Sequence, residues 1–486
     1  MTRLFLVLAG VITALSILNA QELLPARLVS MGNNSIAMSS DVDAIGTNPA
    51  NLLSGPKGIL VIEFLPVSLY AGNDVVDIDF YNKYFTGTGQ YNNRGDENGK
   101  VLTASDKASI LAAFPDSVGN FLGGVNARVI GLSWSSGNFG VGVAIDEIAG
   151  SKLELPSTVL FPLNGNSPGS TFNWNKLAGS IWWYTESSVD LALRIPDLTK
   201  ISRSQISDIV IGVAPKYVAG YGYATVVSRN SSIYTDPETY DCELKVNFTS
   251  QQSGIASAIF SENPDNESGK DLKAFDPFHP AGMGIGADFG MSARLFRFFT
   301  LGISVTDLGK IYWSRNDLAT SADTTIVYSG YSSPTPQDID VSEVVDSIQN
   351  VLRTVIKGTS SPSSHFTTSL PTKVGISIAV HPDEILHGVP GQIIVALEFR
   401  RGLNNNFGNS TSPEYGVGAE WRPFYTIPIR TGVRFGGDHG MRWSAGTGIS
   451  TRYWDFDLGF GDMEPLIYPT KAKAVSLAFS ALKFKI

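Results

Sequence analysis

Cysteine is almost absent from this sequence: Cys242 is the only one in 486 residues. A single cysteine excludes an intramolecular disulfide framework and a cysteine-rich metal site. Charge is also sparse, and acidic residues outnumber basic ones by 45 to 36, which argues against a nucleic-acid-binding protein. Beyond the N-terminus, no run of about twenty apolar residues predicts a transmembrane helix, and no internal repeat indicates a solenoid.

The N-terminus has the pattern of an export signal. Residues 1–20 carry Arg3 as their only charge, followed by an apolar core and the small residue Ala20. The apolar core is too short and too interrupted for a membrane-spanning helix and is typical of a signal peptide. We therefore expect cleavage near Ala20 and a mature chain that leaves the cytoplasm.

The rest of the chain is rich in glycine and in stretches where bulky apolar residues alternate with small or polar ones. There are 49 glycines, and aromatic residues make up 10% of the sequence. Bulky apolar residues repeatedly alternate with glycine, polar or charged ones, as in MGIGADFG at residues 283–290 and YGVGAEWR at residues 415–422. A period of two predicts β-strands whose two faces lie in different surroundings.

Alternation alone does not distinguish a soluble sandwich from a membrane barrel. In a sandwich the bulky face turns into the core, whereas in a membrane barrel it meets lipid and the polar face lines the lumen. Export, strands near ten residues and alternately short and long connections favour the barrel. We predict an all-β fold, a transmembrane antiparallel up-and-down β-barrel of about 14 to 16 strands.

The lengths of the connections predict which end of the barrel faces the periplasm and which faces the cell exterior. Short turns near Ser136, Ser187, Tyr425 and Arg452 are expected at the periplasmic end. Residues 316–364 are expected to form one extracellular excursion, which contains an amphipathic helix around Ile348.

The segment Arg27–Leu53 precedes the first predicted strand and contains Asn48-Pro49-Ala50 near its end. It is rich in turn-forming residues, and Pro49 denies Asn48 a helical backbone. At these residues the chain resembles the start of FadL-like long-chain fatty-acid transporters of the outer membrane, and of PorV-like relatives. The resemblance implies that this segment forms a hatch inside the barrel.

Two further stretches are similar to an uncharacterised branch of the FadL-like family. They are Leu301–Gly309, which has the pattern of a strand and turn, and Leu370–Lys373, which precedes another strand. The resemblance implies three parts of the chain: a signal peptide at residues 1–20, a hatch at residues 21–57 and a barrel at residues 58–486.

Charged residues on the inward face of the C-terminal strands are the candidate site. If residues 424–426 form a hairpin turn, Glu420 lies opposite Arg430, and we predict a luminal ion pair between them. The other arginines expected on this face are Arg400, Arg422 and Arg434. Two roles stay open for them: ion pairs that hold the wall together, and a site for an anionic head group, because a guanidinium matches a carboxylate.

Other candidate motifs favour ordinary structure. Gly282–Gly290 lacks the Gly-Lys-Ser/Thr ending of a phosphate-binding loop and is interpreted as a strand face. His381–His387 contains two histidines and two acids, but Pro382 and the lack of a third spaced ligand favour a turn, as we also expect around His439. No catalytic motif is present, so we predict no enzymatic activity, no metal and no cofactor.

The resemblance implies passive uptake or binding of hydrophobic or amphiphilic small molecules, such as fatty acids, by a monomeric outer-membrane barrel. In that function Asn48 caps backbone groups of the hatch, and Pro49 fixes a kink. The alternatives are a PorV-like accessory that binds secreted or surface proteins, and a purely structural barrel. The expected partners are outer-membrane lipid and either an amphiphile or secretion-system proteins, with no nucleic acid.

Overall fold

The computed structural model describes residues 25–88, 99–163, 167–195, 206–259, 278–296, 298–315, 317–329, 365–385, 388, 390–437 and 440–486. The predicted signal peptide and the predicted helix around Ile348 lie outside these ranges, as do His387 and His439.

Strands dominate the described residues. In chain order they are β1 (Leu60–Phe64), β2 (Val67–Asn73), β3 (Val118–Ser135), β4 (Phe139–Pro156), β5 (Thr171–Asn173), β6 (Ala178–Ile195), β7 (Ile206–Ser228), β8 (Ser232–Thr235), β9 (Cys242–Gly254), β10 (Gly282–Leu295), β11 (Phe299–Trp313), β12 (Leu318–Tyr328), β13 (Phe366–Ser369), β14 (Lys373–Val380), β15 (Gln392–Gly402), β16 (Glu414–Phe424), β17 (Ile427–Gly436), β18 (Arg442–Ser450), β19 (Trp454–Phe460) and β20 (Ala474–Lys485).

The strands close into an antiparallel barrel of fourteen strands, because β20 pairs with both β19 and the first strand. β1 and β2 share that first place in the wall, as β13 and β14 share a later one, where each pairs with β11. The short strands β5 and β8, with β9 and β12, lie outside the closed wall and extend it beyond β7. The predicted all-β barrel is confirmed, with the lower strand count.

Side-chain exposure shows which face of the strands points outward. On β6, Val189, Leu191 and Leu193 are 45%, 37% and 52% exposed, whereas Asp190 and Ala192 between them are 0% and 1% exposed. Bulky apolar residues therefore cover the outside, and charged or small residues fill the inside, the reverse of a soluble core. This arrangement is the one that a membrane-spanning barrel requires.

The two ends of the barrel differ in their connections. At the short-turn end, β3 leads to β4, β16 to β17 and β18 to β19 within two or three residues, as predicted near Ser136, Tyr425 and Arg452. The turn predicted near Ser187 is wrong, because β6 continues through it. Two residues of the polar run there are luminal: Glu186 pairs with Lys216, and Ser188 donates to Asp190. The other end carries the longer connections and is called the long-loop end.

Helices are short and lie between strands. The α-helices are Ala26–Val29, Ile78–Tyr84, Ala104–Ala112, Ile255–Ile259 and Glu464–Ile467. Thr103 caps Ala104–Ala112, because its hydroxyl accepts from the Asp106 amide while the Asp106 carboxylate accepts from the Thr103 amide. No helix in the described ranges is long and apolar enough to cross a membrane.

Candidate functional site

The luminal segment, residues 25–54, lies inside the barrel and is almost entirely buried. It passes through two short 3-10 helices, Asp41–Ala44 and Pro49–Ser54. Its backbone rests on inward-facing glycines, where a Cβ on the wall would come within 3.0 Å of segment backbone atoms. Such glycines are Gly212, Gly302, Gly416, Gly418, Gly432 and Gly459. The small residues on the inward face of the alternating strands therefore leave the space that the luminal segment occupies.

Asn48 joins two parts of the luminal segment to each other and to the wall. Its Nδ2 donates to the Ile36 carbonyl at 2.8 Å and to the Met291 carbonyl of β10 at 3.3 Å. Its Oδ1 accepts from the Ala50 amide at 3.2 Å, which caps the helix that Pro49 begins. All three residues of the Asn-Pro-Ala motif thus lie in one fixed turn against the wall.

Glu420 on β16 binds three arginines. Arg430 Nε on β17 lies 2.6 Å from its carboxylate, directly across the strand pair. Arg422 Nε on the same strand lies at 3.0 Å, and Arg27 of the luminal segment forms two hydrogen bonds at 3.0 and 3.1 Å. Arg430 also reaches Asp457 of β19 at 2.6 Å. The predicted pair is therefore one edge of a network that includes the luminal segment.

The other two predicted arginines differ from each other. Arg400 of β15 donates to the Asn33 carbonyl at 2.6 Å and pairs with Glu398 at 3.0 Å. Arg434 is buried on β17 and has neither a hydrogen bond nor an ion pair with any described residue. The four predicted arginines therefore do not form one cluster.

The wall holds the luminal segment at further charged points that sequence reasoning missed. Lys483 of β20 pairs with Asp41 at 2.9 Å and with Asp43 at 3.1 Å. Glu398 accepts the Ser35 and Ile36 amides at 2.7 and 2.8 Å. A charge buried in this way is stable only with partners of this kind.

Arg128 of β3 anchors the same segment through its backbone. Its guanidinium donates to the carbonyls of Val42 and Ile45 at 2.8 and 3.2 Å and pairs with Asp146 of β4 at 2.9 Å. The sequence offered no motif for this contact, because it depends on which residues of a turn-rich segment turn their carbonyls to the wall.

Lys216 of β7 is surrounded by carboxylates. Its Nζ lies 2.8 Å from Glu186 of β6, 2.9 Å from Asp288 of β10 and 2.6 Å from Asp307 of β11. The alternation along each strand is enough to put Lys216 and Asp288 on inward faces, but only the register of β7 with β10 brings them together. Because a turn was predicted near Ser187, Glu186 was not assigned to the lumen.

A cavity lies at the long-loop side of the luminal segment. Its water-accessible volume is about 160 Å³, and part of it is continuous with solvent. Its charged lining residues are Arg128, Asp146, Glu186, Lys216, Asp307, Lys373, Arg400, Arg401 and Glu414. Its apolar lining residues include Leu122, Ile148, Tyr184 and Phe407, with Ile45 from the luminal segment. The cavity therefore offers charged and aromatic surfaces together.

The loop between β15 and β16 closes the cavity toward the long-loop end. Phe407 of this loop is buried against Tyr184 and Tyr223, with ring centroids 5.3 and 5.6 Å away. Asn404 and Asn409 tie the loop to the carbonyls of Leu370 and Thr372 at 2.8 and 3.0 Å. The cavity thus lies between two barriers, the luminal segment and this inward-folded loop.

The motifs set aside from the sequence have ordinary places in the fold. Gly282–Gly290 lies on β10, and His381 precedes the 3-10 turn Pro382–Glu384. Glu384 of that turn pairs with Arg294 at 3.1 Å. Within the described ranges, no group of three His, Cys, Asp or Glu side chains is arranged to hold a metal ion.

Residues 65–458 match the model of a protein family of unknown function, DUF5723. The chain belongs to this family. No curated protein matches the sequence.

Solved structures of two toluene transporters and a FadL homologue align with nearly the whole length of the chain. The toluene transporter TbuX of Ralstonia pickettii is 11% identical with a TM-score of 0.45, covering 96% of this chain and 98% of TbuX. The toluene transporter TodX of P. putida is 9% identical with a TM-score of 0.44, covering 96% and 98%. A Pseudomonas aeruginosa FadL homologue is 10% identical with a TM-score of 0.40, covering 96% and 97%.

Proposed function

We propose that this DUF5723 protein is a hatch-gated outer-membrane barrel that takes up or binds amphiphilic small molecules of fatty-acid-like chemistry. The observation that carries the proposal is the cavity between the luminal segment and the Phe407 loop. A molecule in this cavity meets both charged groups and aromatic rings, which is the environment that an amphiphile needs. The FadL-like resemblance of the luminal segment supports the same function.

The lining residues have two proposed roles, binding of the polar head and binding of the apolar chain. Arg400 and Lys373 supply positive charge for a polar head, while Ile148, Tyr184 and Phe407 supply the surface for an apolar chain. Passage to the short-turn end then requires the luminal segment to shift. In this proposal Asn48 and Pro49 set the resting shape of the hatch, and the Glu420 network holds it closed.

Ligand binding tests the proposal directly. The barrel purified in an uncharged detergent is titrated with radiolabelled laurate, and Ile148→Trp is compared with Val143→Trp. Both residues lie on β4, but Ile148 lines the cavity, whereas Val143 is exposed on the outer face. Because tryptophan at 148 fills the cavity, we expect laurate affinity to fall about tenfold or more in Ile148→Trp and to stay unchanged in Val143→Trp.

Two outcomes would contradict uptake of an amphiphile. One is an unmodified barrel that binds no laurate and retains no amphiphile from its own membrane, as judged by native mass spectrometry. The other is equal laurate binding by both tryptophan variants, which would place the bound molecules on the outer surface and leave the cavity without a role.

A second candidate function, binding of another protein at the cell surface, is favoured by one observation. β12 pairs with β9 along its whole length and with no other strand in the part of the chain that the structure describes. A strand edge of this kind accepts an added strand from a partner. A stoichiometric protein that co-purifies with the barrel and is lost on replacing Thr324, in the middle of β12, with proline would favour this accessory function.

A further inference from the structure

Arg434 and Arg442 face each other across two neighbouring strands. They are register partners on β17 and β18, and both are buried, with 5% and 8% of their surfaces exposed. The residues beside them in the chain, Phe435 and Trp443, are exposed on the outer face, so both arginines point into the lumen. Like charges directly opposite each other destabilise a strand pair, and burial increases the cost.

The chain leaves much of this guanidinium pair without hydrogen-bond acceptors. Arg442 Nη1 binds Asp462, and Glu464 lies 4.0 Å away, but Arg442 Nε is buried without a partner. Arg434 has no hydrogen bond or ion pair with a described residue. A buried charged donor such as Arg442 Nε has lost its hydration without gaining an acceptor, which is unfavourable.

The acids nearby already have other partners. Glu398 pairs with Arg400 and accepts two amides of the luminal segment, and Glu414 lies 3.7 Å from Arg400. Asp462 forms an ion pair with Arg442.

Two other buried arginines of the lumen find their acceptors in the chain itself. Arg430 lies 2.6 Å from both Glu420 and Asp457, and Arg128 binds Asp146 and two carbonyls. Arg434 differs from these two, and its neighbour across the strand pair is also positively charged. An anion from outside the chain would offer acceptors to both guanidiniums.

We propose that Arg434 and Arg442 form a binding site for an oxyanion, such as a phosphate or carboxylate group, which bridges the two guanidiniums. An oxyanion offers several acceptor oxygens, and the planar fork of arginine binds such groups through paired hydrogen bonds. The site goes beyond the proposed function, because it requires neither passage through the barrel nor occupation of the cavity between the luminal segment and the Phe407 loop. The same chemistry is available from a free ion and from the head group of an amphiphile.

The test uses the full barrel in dodecyl maltoside, with inorganic phosphate as the probe. Its unfolding temperature is measured at rising phosphate concentrations, with chloride keeping the ionic strength constant. We expect phosphate to raise the unfolding temperature of the unmodified barrel and to have at least about tenfold lower affinity for Arg434→Gln, as the loss of a charged hydrogen-bond partner predicts. Arg452→Gln is the control, because Arg452 is exposed at a turn of the short-turn end.

Without phosphate, the sign of the substitution effect gives a second readout. Removing one of two opposed charges relieves repulsion, so Arg434→Gln is expected to unfold at a higher temperature than the unmodified barrel in chloride and at a lower one in saturating phosphate. A crossing of the two curves supports the site. An unmodified barrel that does not respond to phosphate or to dodecyl phosphate overturns it, as does an equal response from Arg434→Gln.

Dodecyl phosphate distinguishes the two sources of the oxyanion. Stabilisation by dodecyl phosphate at concentrations where inorganic phosphate has no effect, lost in Arg434→Gln, assigns the site to an amphiphile head group. Equal stabilisation by both, again lost in Arg434→Gln, assigns it to the free ion. This result is independent of laurate binding in the Ile148→Trp comparison, so either proposal can fail while the other stands.

Discussion

The Glu420 cluster and the Lys216 cluster have opposite compositions. Glu420 receives three guanidiniums, whereas Lys216 is surrounded by three carboxylates. Arg27, one of the partners of Glu420, belongs to the luminal segment, but every partner of Lys216 belongs to a wall strand. The first cluster therefore joins the hatch to the barrel, and the second joins four neighbouring strands of the barrel to one another.

This difference predicts different consequences of disruption. Breaking the Lys216 cluster should weaken the wall where it borders the cavity. Breaking the Glu420 cluster should release the luminal segment while the wall remains paired through its backbone. Two readouts separate these effects: the unfolding temperature of the purified barrel, and trypsin cleavage after Arg27, which is protected as long as the segment stays in the lumen.

The largest effect is expected from Lys216→Met. It leaves Glu186 and Asp288 buried, and Asp307 partly buried, without their shared cation. Breaking a buried ion pair by removing one partner costs about 3 to 5 kcal/mol. The unfolding temperature in detergent should fall sharply, and little folded barrel should accumulate. Lys310→Met on β11 is the control, because Lys310 is exposed. Equal unfolding temperatures in the two variants would show that the cluster does not stabilise the wall.

Glu420→Gln is expected to have a smaller effect on stability and a larger one on the hatch. Arg27 and Arg422 lose a charged acceptor, but Arg430 keeps Asp457 at 2.6 Å. The loss of charged hydrogen bonds predicts about 2 to 3 kcal/mol. Trypsin should now cleave after Arg27 in barrels that remain folded, whereas the folded fraction of Lys216→Met should stay protected. Protection of Arg27 in Glu420→Gln would mean that Lys483, Arg128 and Glu398 hold the segment without it.

The sequence predicted the barrel because its evidence is local and repeated. Alternation in stretches such as residues 283–290 recurs in almost every strand, and the hairpin turn at Tyr425 sets Glu420 opposite Arg430. The turn predicted at Ser187 was wrong because four consecutive polar residues, Thr185–Ser188, interrupt the alternation, and serine is common in turns. In this barrel Glu186 and Ser188 line a charged lumen in the middle of a strand.

The candidate site was only partly predictable for a related reason. Glu420 and Arg430 meet across one hairpin, so counting from the turn was sufficient. Lys216 meets its acids across three strand pairs, two of which join segments separated by long connections, and no local pattern specifies that register. The contacts of Lys483 and Arg128 with the luminal segment depend on the folded path of a segment that has no periodicity.

Gly432→Ala tests the packing of the hatch without changing a charge. A Cβ at this position would lie 2.3 Å from the Met31 carbonyl carbon and 2.4 Å from the Gly32 amide nitrogen, and both are backbone atoms of the luminal segment. Overpacking predicts a loss of about 1 to 3 kcal/mol and increased cleavage after Arg27. Gly179→Ala is the matched control, since its Cβ would make only ordinary contacts at 3.8 and 3.9 Å. Equal cleavage of the two variants would mean that the segment does not rest on Gly432.

The smallest effect is expected from Arg422→Gln, and it shows whether the partners of Glu420 are equivalent. Arg422 keeps 23% of its side chain exposed, whereas Arg430 is 1% exposed, although both lie within 3.0 Å of the same carboxylate. An ion pair that reaches solvent contributes about 0 to 1 kcal/mol, so Arg422→Gln should leave both the unfolding temperature and the protection of Arg27 nearly unchanged. Arg430→Gln should lower both, because it leaves Asp457 buried without its arginine. Equal effects of the two substitutions would mean that the summed positive charge around Glu420 holds the hatch. The specific ion pair between Glu420 and Arg430 would then have no special role.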